Sequence, residues 1–238
     1  MVTWPSAAPG APAEGQVTIG INGVNGAGGK PSQSIVILIA MTVLSVAPAL
    51  LLLTTCFTKI IIVLGLTRNA LGLMSTPPNQ VLAGLALFLT MFVMAPTLGT
   101  MNDVAVQPYL KGEKTATVAF TDGSAPLKEF MLEQTRGEEL ALMTQAAKRD
   151  LPEDRADVPL TTLVPAFALS ELRSAFIIGF VIFIPFLVID IVVSAALMSL
   201  GMMMLPPVTI ALPFKMLLFV MVDGWGLIVK ALVSSYTG

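Results

Sequence analysis

Two aspartates, Asp190 and Asp223, stand inside stretches that are otherwise almost wholly apolar. Two facing carboxylates in such surroundings are the equipment of an intramembrane aspartyl protease, and a single one can relay protons in a transporter. Neither aspartate sits in a Gly-x-Gly-Asp context. Ser194, Ser199 and Lys215 supply the residue types of a Ser–Lys dyad, without a spacing that brings serine and lysine together. The chain has no histidine, the commonest general base. Its single cysteine, Cys56, leaves neither an internal disulfide framework nor the usual zinc spacing. The stretch GVNGAGGKPS falls short of a phosphate-binding loop: Val24 stands where the first glycine belongs, and Pro31 follows Lys30 in place of Ser or Thr. Catalysis, a cofactor and a bound metal are therefore not expected.

A different chemistry is offered by GMMMLPP, residues 201–207. Methionine is unbranched, with rotatable bonds and a polarizable sulfur, so Met202, Met203 and Met204 are suited to filling irregular space or lining a compliant surface. Gly201 permits a turn and Pro206 and Pro207 cannot continue a helix. On residue types alone, core filling at a hairpin turn and a soft apolar seal both remain open.

The elements that must position these residues are apolar. Of 238 residues, 55% are hydrophobic and 12% charged, against about a quarter charged in an ordinary soluble domain. Seven of the 13 Lys and Arg and eleven of the 15 Asp and Glu lie between Met101 and Leu160. The composition is that of a membrane-class protein with one polar insert, and it carries no basic patch for nucleic acid. Four runs have the length of spans: Ile35–Leu53, continued by Cys56–Leu66; Val81–Thr97; Phe176–Leu200; and Met216–Ser234. Four segments follow: a mobile Gly/Pro/Ala-rich tail (1–34), a first apolar hairpin (35–100), the polar insert (101–160) and a second apolar hairpin with the methionine loop (161–238). In the insert, Ser124 is expected to cap a helix with Pro126 in its first turn, running toward Arg149, with Gly137 weighing against one continuous helix. Leu127, Phe130, Met131, Leu140 and Met143 form its packing stripe.

Lys59 and Arg68 in the connector after the first run, and Lys215 between the last two, place those connectors in the cytoplasm by the positive-inside bias. The insert and both termini then face the periplasm. Each run contains a proline or a charge, which is costly toward lipid unless protein shields it. Glu171, Arg173 and Lys215 flank the third run, and a Glu171–Lys215 pair is expected to lock the last hairpin.

The stretches PAFALSELRSAFIIGF (165–180) and LPFKMLLFVMVDGW (212–225) closely resemble the signature stretches of the FliP family of flagellar type III export-gate proteins. FTKIIIVLGLTRNALG (57–72) and PPNQVLAGLALFLTMF (77–92) resemble the family's N-terminal half. One position departs: Ile177 stands where the family usually has Lys, Arg, Glu or Gln. The resemblance implies an all-α fold of kinked helical hairpins in a pentameric homo-oligomeric ring within the inner-membrane export apparatus of the flagellar basal body. It implies FliQ, FliR, FlhB and FlhA as partners and unfolded flagellar proteins as cargo. It further implies that Met202, Met203 and Met204 form a pore gasket; Gly201, Pro206 and Pro207 are expected to shape its loop, and Glu171, Arg173, Asp190, Lys215 and Asp223 are read as structural charges. The export-gate subunit of a virulence injectisome is the alternative, and a proton or ion transporter a more distant one.

Overall fold

The computed structural model describes residues 33–149, 152, 154–202 and 205–237. The expected N-terminal tail, Met203 and Met204 lie outside the described residues, apart from the tail's last two positions, which open the first helix. Every regular element among the described residues is helical, so the expected all-α class holds. The chain divides into two units, Met1–Ala47 and Pro48–Gly238. The helix α1 (Gln33–Thr54) begins in the first, where Leu38, Met41 and Leu44 are exposed.

The second unit carries α2 (Phe57–Ala70), α3 (Asn79–Met101), α4 (Gln107–Leu110), α5 (Ala116–Gln134), α6 (Gly137–Ala146), α7 (Leu160–Ser199), α8 (Pro207–Met221) and α9 (Gly224–Thr237). A π-helical stretch, Asn102–Val106, joins α3 to α4. By length and composition, Asn79–Leu110 and Leu160–Ser199 can each cross a membrane. The first and last expected spans are instead bent pairs: Pro48–Thr54 with Phe57–Ala70 at 77°, and Pro207–Met221 with Gly224–Tyr236 at 61°. Counting each bent pair as one span restores four.

Helix α7 dominates the packing. Its buried residues Leu163, Ala166, Phe167, Ser170, Glu171 and Ala175 recur at helical spacing and face α2, α5 and α6. Beyond Gly179 few of its residues are buried, and Phe180, Val181, Ile184, Val188 and Val192 stand exposed. One stretch of α7 thus belongs to a protein core and the other presents an apolar face.

The insert forms two helices. Thr115, not Ser124, caps α5, its side chain accepting from the Val118 amide. Ser124 and Pro126 lie inside that helix, where Ser124 donates to the Thr121 carbonyl. Pro126 stands ten residues beyond the helix's first residue, and because it brings no amide one internal bond is forfeited there. The chain breaks at Thr135–Arg136, and α6 starts at Gly137. Phe130, Met131 and Leu140 are buried, with Leu127 and Met143 packed against them, so the expected stripe is a packing face.

Candidate functional site

The loop 201–206 is set by what ends α7 and starts α8. The Gly201 amide donates to Met198 O at 3.1 Å, and the Met202 amide to Leu197 O at 3.0 Å. This double bond pattern needs a left-handed residue between, which Gly201 supplies at φ 74°. On the other side Pro206 is extended and Pro207 occupies the first helical position, where a missing amide costs nothing. Met202 and Leu205 are exposed at 43% and 40%, so the described part of the loop is turned out of the subunit's core. That exposure disfavours core filling for Met202.

Two ion pairs, one buried and one partly buried, hold α7 to its neighbours. Lys215 of α8 lies 2.7 Å from Asp190 of α7, and its Nζ also donates to Ala70 O at the end of α2, 3.1 Å away. Lys59 of α2 lies 3.2 Å from Glu171 of α7, with both side chains almost fully buried. Tyr236 of α9 donates its hydroxyl to Glu171, and its ring receives Lys59 Nζ at 3.7 Å from the centroid. The expected Glu171–Lys215 pair is therefore corrected: each residue is bound to a different partner. Both acids lie on α7, nineteen positions apart, so about 28 Å of helix separates them, and one lysine cannot serve both.

Arg173 is half exposed and bridges to α6, with Nη1 2.6 Å from Glu138 and 2.8 Å from Glu139. The hydrogen bond from Arg173 holds the Glu139 carboxyl below the usual carboxylate range, against the opposing effect of its burial. Its stabilising contribution is thus fully present above the ordinary Glu value near pH 4.3 and is lost as pH falls through the lowered folded-state value. Asp223 sits at the bend between α8 and α9 with φ 50°, and its carbonyl accepts from the Leu227 amide at 3.0 Å, opening α9.

Sequence reasoning missed Lys59, Tyr236, Glu138 and Glu139. Lys59 was legible: a cation inside an apolar run requires a partner, and Glu171 is one of the few acids outside the insert. The tyrosine had no such signal. Ile177 is 48% exposed and lines an open apolar groove of about 790 Å³ with Leu66, Phe176 and Phe180. Among the described residues no group of three acidic, histidine or cysteine side chains converges as a metal site.

Bent apolar helices, internal prolines and lysine–carboxylate pairs held between them define an all-helical protein of the membrane class, with a helical polar insert. The FliP family model matches residues 40–232, and the chain belongs to that family. It is similar to the flagellar biosynthetic protein FliP of Bacillus subtilis, 57% identical over 205 residues that cover 86% of this chain and 93% of that one. The Caulobacter vibrioides protein of the same name is 48% identical over 227 residues, 95% of this chain and 85% of its own. That of Aquifex aeolicus is 44% identical over 210 residues, 87% and 88%.

Proposed function

We propose that the chain is a core subunit of the flagellar type III export gate in the bacterial inner membrane. Several copies, five by resemblance, form with FliQ and FliR a channel for unfolded flagellar proteins, with FlhB and FlhA beside it. The observation that carries this proposal is family membership over 193 matched positions, 40–232, among relatives named as flagellar biosynthetic proteins. The same relatives favour the flagellar role over a virulence injectisome.

The loop supports a gate. A channel for unfolded chains must admit any side chain yet hold back ions when idle, and an apolar constriction does this by dewetting. Copies of Met202–Met204 around an axis supply a deformable apolar collar, and the glycine and proline boundaries hold the loop off both helices. A transporter built on Asp190 has less support, because that carboxylate is engaged by Lys215. The test is a Met202–Met204 alanine series in the assembled complex, with partners co-expressed and native mass giving the stoichiometry. Increased ion permeability with assembly intact is expected. A chain that never assembles, or an alanine series with unchanged permeability and export, overturns the gate.

A further inference from the structure

A soft seal that opens needs space behind it. Beside the first turn of α8 lies a cleft of about 330 Å³. One wall is the loop Gly72–Thr76; the other is Val208, Thr209 and Leu212. The two walls differ in how firmly they are tied.

The loop wall is fixed at both ends. Lys215 holds Ala70 O just before it. Arg68 holds Asn79 Oδ1 at 2.6 Å and Pro77 O at 3.3 Å just after it. Gly72 turns in the left-handed region at φ 76°, and a Cβ there would lie 3.6 Å from Val208 Cγ1, so the walls meet at that edge.

The α8 wall is loosely tied. Pro213 lies inside α8 and has no amide, so the Thr209 carbonyl four residues earlier receives no bond from it. Pro206 and Pro207 likewise bring no amide to the start of the helix. Val208 and Ile210 are exposed at 54% and 38%, so little packing retains the turn itself, and the helix is first anchored at the fully buried Ala211.

We infer that the first turn of α8 is a moving part: Pro213 is its hinge, the Gly72–Thr76 loop is its fixed stop, and the cleft is the space it enters when the gate opens. The inference rests on the gate function proposed above. Gly72, Thr209 and Pro213 are then positioning residues for opening, not parts of the seal.

The test fills the space in the full chain, within the assembled complex. Ser75→Trp and Thr209→Trp add bulk from opposite walls at exposed positions. Export of a flagellar substrate is expected to fall about tenfold or more, as when a lid that limits turnover is held, while assembly and idle ion permeability match the parent. A second arm places Ser75→Cys and Thr209→Cys together and joins them with a reductant-cleavable bismaleimide; Cys56 is fully buried and leaves no background. Export should stop on joining and return on cleavage, which shows that the chain was folded throughout. Normal export from both tryptophan variants, or from the joined pair, overturns the moving turn. If the methionine alanine series leaks while these variants export normally, only the moving turn fails; if that series does not leak, the gate function fails first.

Discussion

Lys59, Glu171 and Tyr236 come from three helices and meet where water is excluded. Burying an ammonium and a carboxylate costs several kcal/mol per ion, and their attraction repays this only with good geometry and further partners. The tyrosine supplies both kinds of partner, a hydroxyl for the carboxylate and a ring face for the cation. Removing one charge is a different matter from removing both. Glu171→Ala leaves Lys59 buried beside an empty position and is expected to cost about 3–5 kcal/mol. Lys59→Met with Glu171→Met replaces the pair by apolar groups of similar size and should recover most of that loss. The measurement is thermal unfolding of the detergent-extracted protein. A double variant as unstable as Glu171→Ala would show that the pair's specific bonds, not the penalty of an orphaned charge, hold α2, α7 and α9 together. The expected partner of Glu171 was Lys215 because both flank one hairpin in sequence. Proximity along the chain says nothing about which of two lysines faces a given side of a 40-residue helix.

At the scale of elements, apolar runs and prolines reveal that helices exist but not where they bend. The breaks near Cys56 and Asp223 lie within runs that, averaged over the length of a span, are still apolar enough to cross a membrane, so composition does not place the bends. The cap at Thr115 was obscured by a second capping pattern at Ser124-Ala125-Pro126, which the helix overrides because its bonds on either side persist. Contact between elements is also set by single positions that a run conceals. Gly179 of α7 faces Leu66 of α2 so closely that a Cβ would come 2.2 Å from Leu66 Cδ1 and 3.1 Å from its Cβ. The nearer atom ends a flexible side chain, but the farther one moves only with the α2 backbone. Gly179→Val is therefore expected to force α2 away from α7 and destabilise the subunit by about 1–3 kcal/mol, the usual range for overpacking. Leu66→Ala in the same chain should restore much of the loss, read as recovery of the unfolding temperature. A Gly179→Val variant as stable as the parent would mean that α2 tolerates displacement at this crossing.

Across the whole molecule, charge and length argue together about the membrane. Helix α7 has 40 residues, so it runs about 60 Å, twice the roughly 30 Å hydrocarbon core. Its first part is packed against the charged insert, and its later part shows an apolar face. Only the later part is suited to lipid or to other apolar subunits. The insert holds eighteen of the chain's 28 charged side chains and belongs in water. Lys59 and Arg68 suggested a cytoplasmic side for the first connector by the positive-inside bias. That argument weakens for Lys59, which is spent on Glu171. It survives for Arg68, which binds the connector itself. Insert and connector are thus expected on opposite faces, and single cysteines decide it. Glu113→Cys in the insert and Ser75→Cys in the connector are both exposed positions, and the natural Cys56 is fully buried. In cells whose outer layers are permeable but whose inner membrane is intact, an impermeant maleimide should label Glu113→Cys and spare Ser75→Cys. Opening the inner membrane should then expose Ser75→Cys. Labelling of both from outside would place them on one face and remove the cytoplasmic assignment of the connector, while the reverse pattern would invert both assignments.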